Sequence, residues 1–138
     1  MMTFDDTDPK QMITDFLNSY SEELIYGDED PSVVVDRYRT PDIVEIADGI
    51  RMDRDKLIAH AKPLRKNKPS GRMEVHEAIA HGDRIAARFT MYVHQRGKDL
   101  TIEVYFFGRF AADGRMRESH QLTRTVTDEP RSQPTAST

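Results

Sequence analysis

The chain has 138 residues, 37% of them apolar and 32% charged, with a net charge of −4 and no cysteine. That length suits one domain with its own core, and the composition excludes a disulfide framework, a thiol nucleophile and a thiolate-bound metal. No apolar run is long enough to span a membrane and the acidic start is unlike a secretory leader, so a cytoplasmic protein with no membrane partner is expected.

The charge is uneven. From Met1 to Asp30 there are nine acids against one base, Lys10, whereas Arg51 to Lys98 is basic and includes Lys62, Arg65, Lys66, Lys68 and Arg72. Such a cluster can bind phosphates. At a helix end it also complements the dipole, and in an acidic chain it reads as a solvated face. No nucleic-acid partner is expected.

In chain order, Asp8-Pro9 supplies an N-cap and a first-turn proline, and Met12, Ile13, Phe16, Leu17, Tyr20, Leu24 and Ile25 recur at helical spacing up to Gly27. Asp30-Pro31 opens a second, short helix ending near Tyr38, before Thr40-Pro41. Ile43 to Ala47 is a strand closed by Asp48-Gly49. Asp53 caps a third helix with a stripe of Leu57, His60, Ala61 and Leu64, which Pro63 kinks or ends.

Arg72 to Val126 reads as a four-stranded antiparallel meander. Its turns are Gly82-Asp83, Arg96-Gly97 and Ala112-Asp113-Gly114, taken as two-, two- and three-residue loops. The architecture is therefore α+β, with three helices packed on one face of an antiparallel sheet. The domain is placed at residues 9–127, between a flexible start at 1–8 and a disordered tail at 128–138.

Those loop lengths set the register, and directly opposed residues share a face. One row is His76, Phe89, Val104 and Leu122; the next is Ala78, Ala87, Phe106 and His120; the next is Ala80, Ile85, Gly108 and Glu118. Met116 joins the same face opposite Phe110. Small residues beside ionisable ones describe a lined cavity in which His120 and Glu118 stand about 7 Å apart along one strand, a spacing that holds a substrate between an acid and a base or lets one buried water bridge them. Alternatively, both lie at an open rim in water, or are satisfied by a helix backbone group or Arg124. His76, on the outermost strand, is a rim or structural residue or part of the lining. His60 faces either the cavity or solvent. Tyr38, Phe89, Val104, Phe106 and Met116 complete the expected ligand contacts. The opposite face carries Val75, Ile79, Tyr105 and Phe107, too apolar to stay in water, which predicts a homodimer through it. No histidine pair has metalloenzyme spacing, and there is no phosphate loop, so neither metal nor cofactor is expected.

The residues from Glu74 to Phe89 and from Phe107 to Met116, with Tyr20 to Asp28 and Ile43 to Gly49, resemble the nuclear transport factor two-like superfamily and its SnoaL-like branch, over about Met12 to Val126. The resemblance implies a cone-shaped fold, a strongly bent sheet around a cavity, and frequent dimers. It also implies a function among cyclases, isomerases, dehydratases, epoxide hydrolases and non-catalytic binders. In ketosteroid isomerase relatives a tyrosine seven residues before a Gly-Asp donates to the substrate oxyanion, and Tyr20 stands at that spacing from Gly27-Asp28. The aspartate base of those relatives falls here on Ile46. Polyketide cyclases of the SnoaL type use an aspartate late in the fold, where this chain offers Glu118 and His120.

Two readings follow. One is a cofactor-independent isomerase, cyclase or lyase acting on a small hydrophobic carbonyl compound through His120 or Glu118, with Tyr20 or His60 stabilising the oxyanion. The other is a non-catalytic ligand-binding or dimerisation module of the same fold.

Overall fold

A computed structural model describes residues 8–126. The expected terminal segments lie, Asp8 apart, outside the described residues. Helix α1 (Pro9–Ser21) starts where Asp8 accepts hydrogen bonds from the amides of Lys10 and Gln11 at 3.0 and 3.3 Å. It runs into one π-helical turn, Glu22–Tyr26, and stops at Gly27. A Cβ at Gly27 would lie 2.4 Å from the Glu23 carbonyl oxygen, so only glycine closes this end. Helix α2 (Pro31–Tyr38) is capped by Asp30 and buries Val34 and Val35. Strands β1 (Arg39–Ala47) and β2 (Ile50–Asp53) form a hairpin whose turn residues, Asp48 and Gly49, both have positive φ, as a tight hairpin requires. Helix α3 (Arg54–Asn67) follows, capped by Asp53, and passes through Pro63 without stopping. Both Pro63 and Ala59, whose carbonyl loses its donor, are exposed, so the unpaired carbonyl faces solvent rather than the core and the missing bond costs little.

Strands β3 (Ser70–His81), β4 (Arg84–Gln95), β5 (Lys98–Phe110) and β6 (Met116–Val126) form the meander. The sheet order is β2-β1-β6-β5-β4-β3. Every pairing is antiparallel except β1 with β6, which is parallel, so the sheet is mixed rather than wholly antiparallel. The helices cover its concave face, burying Ile13, Val34, Val35, Ile43, Val104 and Phe110 among others. No helix among the described residues is long and apolar enough to cross a membrane.

All three turns have the expected lengths: His81 faces Arg84, Gln95 faces Lys98 and Phe110 faces Met116. Two bulges nevertheless change the faces. In β6 the register shifts after Phe110, so Arg109 faces Glu118 and Arg117 is the extra residue. In β3 it shifts between Val75 and Glu77. A bulge sets two consecutive residues against one partner, and everything beyond it changes sides relative to an unbroken ladder. Hence Glu118 and His120 point outward, opposite Arg109 and Phe107, while Ser119 is buried. His76 is exposed and Val75 is buried against Phe89, the reverse of the sequence expectation.

Candidate functional site on the concave face

The concave face is apolar except where β1 meets β6. Period-two alternation from the buried Ile43 turns Glu45 inward, opposite Ser119 on β6 and Met52 on β2. Arg39, at the start of β1, is 4% exposed and donates from Nε to Glu45 Oε2 at 2.7 Å. Its guanidinium carbon lies 3.9 Å from the centre of the Tyr20 ring and 5.4 Å from that of Phe16. A desolvated guanidinium over aromatic faces gains cation–π attraction in addition to the ion pair. Nη1 of Arg39 is buried with no hydrogen-bond partner. Among the described residues nothing bonds Oε1 of Glu45 or the hydroxyls of Tyr20 and Ser119.

The aromatic wall behind this pair is continuous. Tyr20 and Phe16 each meet Tyr38 edge-on at 5.6 Å, and Phe16 meets Phe110 at 5.2 Å. Tyr38 donates its hydroxyl to Glu23, which Arg37 also binds together with Glu29. Arg115 reaches from the β5–β6 loop to the carbonyl oxygen of Asp36 at 3.2 Å, holding the end of α2 against the sheet. Burial pushes the Tyr20 phenol above its ordinary pKa; the Arg39 charge pulls it down and Glu45 pushes it up. Tyr20 therefore remains a hydrogen-bond donor throughout the neutral range.

Of the residues expected from sequence, Tyr20, Tyr38, Phe89, Val104, Phe106 and Met116 lie on the concave side, the last four fully in the core. His120 and Glu118 do not. Both line an open groove of about 580 Å³ on the outward face, with Ile79, Ala86, Phe107 and Arg109. Oε1 of Glu118 is 3.9 Å from Nη1 of Arg109, a loose surface pair. His60 is exposed on α3, and His76 projects from its bulge to share a 2.7 Å hydrogen bond with Thr90. Glu45 and Arg39 were missed. Counting by two from Ile43 reaches Glu45, so its signal was present. Arg39 gave none, because the strand was expected to begin after Thr40-Pro41.

The sequence pattern of the SnoaL-like domain matches residues 20–119. A comparison with curated protein sequences finds no match. Among solved structures, a proposed isomerase from Rhodopseudomonas palustris superposes with a TM-score of 0.66 at 10% identity, covering 81% of this chain and 88% of its own. IdmH, a proposed polyketide cyclase from Streptomyces antibioticus, gives 0.58 at 16% identity over 79% and 89%. An epoxide hydrolase from M. tuberculosis gives 0.59 at 16% identity over 85% and 86%. At such identities the likeness concerns the fold alone, and these neighbours are named for different reactions. The pattern match spans most of the described fold, including α2, α3 and β1 to β5, and on it the chain belongs to the SnoaL-like domain family.

Proposed function

We propose that this cytoplasmic chain binds a small hydrophobic carbonyl compound against the concave face and moves a proton on it without a cofactor, as an isomerase, cyclase or lyase. The observation that supports this most is Glu45. One of its oxygens is held by the buried Arg39, and the other is left open on an otherwise apolar face beside Tyr20 and Ser119. Apolar residues would fill such a position at less desolvation cost, which favours a use for the charge. In this reading Glu45 takes the proton from the carbon next to the carbonyl. Tyr20 donates to the carbonyl oxygen as it gains negative charge. Return of the proton to another carbon completes an isomerisation; attack of the enolate carbon on a second carbonyl closes a ring. These roles replace those expected of His120 and Glu118.

The test needs no native substrate. Enolisable ketones such as 2-tetralone and 1-indanone exchange the hydrogens next to the carbonyl for deuterium in D2O, and NMR follows the rate. Wild-type protein is expected to accelerate exchange, Glu45→Gln to abolish the acceleration, and Tyr20→Phe to reduce it by about a hundredfold. No acceleration by wild type across the ketone panel sinks the reading. Ketone binding without exchange favours the non-catalytic module instead.

A further inference from the structure

The outward groove has a shape and a charge that the concave site does not use. Ala86 on β4 stands between Ile79 on β3 and Phe107 on β5, so one methyl group is flanked by two large apolar side chains that are 70% and 64% exposed. The result is a notch, walled by Ile79 and Phe107, inside the groove of about 580 Å³. That volume is in the range of small-molecule sites. Two residues further along the strands, on the same face, the next row sets Arg84 directly opposite Arg109, with His81 and Glu118 outside them.

Like charges directly opposed across a ladder repel each other. Here the repulsion is barely offset. Arg109 meets Glu118 at 3.9 Å, and the Arg84 side chain has no hydrogen bond or ion pair among the described residues. Two guanidiniums thus share one loose carboxylate at the end of an apolar notch. An anion between them would relieve the repulsion and accept N–H bonds from both forks.

We propose that this groove is a second ligand site, for a small aromatic carboxylate. The ring lies over Ala86 between Ile79 and Phe107, and the carboxylate sits between Arg84 and Arg109. The two rows are about 7 Å apart along the strand, so the carboxylate must stand off from the ring on a short tether. An extended hydrocinnamate spans that separation; benzoate, whose carboxylate is joined directly to the ring, does not. The site is separate from Glu45 and Tyr20, which lie on the other side of the sheet.

The test titrates hydrocinnamate into the protein by ligand-observed NMR, with sedimentation velocity on the same samples. Wild type is expected to bind it with a Kd of about 1 mM, about tenfold more tightly than benzoate or hydrocinnamamide. Arg84→Gln and Arg109→Gln are each expected to weaken binding by about tenfold. Ala86→Leu fills the notch, keeps both charges and is expected to abolish it. Glu45→Gln is expected to bind like wild type, because the concave site is not involved. No binding by wild type at about 10 mM overturns the proposal, as does equal binding of the amide. Wild-type affinity in both arginine variants, or in Ala86→Leu, overturns it too. Loss of binding in Glu45→Gln assigns the ligand to the concave site instead. Binding that fades as the chain self-associates makes a second copy the occupant of the groove, and either result refutes this site.

Discussion

Arg39 lies with its guanidinium 3.9 Å from the Tyr20 ring centre and its Nε on Glu45, so a buried cation is held by one aromatic face and one carboxylate. Such a pair is expensive to break and cheap to replace. Arg39→Met leaves Glu45 uncompensated and is expected to cost about 3 kcal/mol in urea unfolding. The double variant Arg39→Met, Glu45→Leu is expected to recover most of that loss. A double variant no more stable than the single one would show that the pair itself, rather than the stranded charge, holds the fold.

Tyr20 makes the protein sensitive to alkali. Its folded pKa is raised, chiefly by burial, so the folded chain keeps a proton that the unfolded chain releases near pH 10. Stability is full below that pH and falls as pH climbs through the folded value. Difference absorbance of the five tyrosines should show a late-titrating phenol beside that of Tyr38, which burial and Glu23 also raise, and this one disappears in Tyr20→Phe. If that variant titrates like wild type, the late phenol belongs elsewhere.

How far the sequence reaches is clear from particular residues. Asp8-Pro9, Asp30-Pro31 and Asp53 marked three helix starts, because capping is local chemistry. Gly82-Asp83, Arg96-Gly97 and the loop around Gly114 gave three correct turns for the same reason. The bulges did not show. Each leaves only a polar doublet, His76-Glu77 and Arg117-Glu118, where strict alternation would set a polar residue beside an inward one. The neighbour of β1 was equally hidden, since its pairing with β6 joins residues more than seventy positions apart. The proposed acid–base pair moved from one side of the sheet to the other on the strength of one extra residue.

That dependence on one residue can be measured. Deleting Arg117 removes the bulge but leaves Glu118 outward and Ser119 inward, so a folded chain is expected, judged by its melting transition. Deleting Ser119 keeps the bulge and turns His120 into the buried place of Ser119, where its larger polar ring has no room, and the fold is expected to fail. Equal tolerance of both deletions would mean that β6 is not pinned by its faces.

Gly108 is a packing constraint as well as a groove residue. A Cβ there would stand 2.9 Å from the Phe106 ring and 3.3 Å from that of Phe110, both buried. Gly108→Ala is expected to destabilise by about 1–2 kcal/mol through overpacking. A neutral result in thermal unfolding would show that the Phe106 ring has room to turn.

The placement of β1 beside β6 has a further outcome during biosynthesis. Strand β1 leaves the ribosome in about the first third of the chain, yet its mate is the last of the described strands to be made. Until then the early hairpin carries a bare edge with nothing native to join, and closure must wait for a long-range encounter. A nascent chain halted anywhere before residue 116 lacks that partner, which makes it a substrate for chaperones or a seed for aggregation.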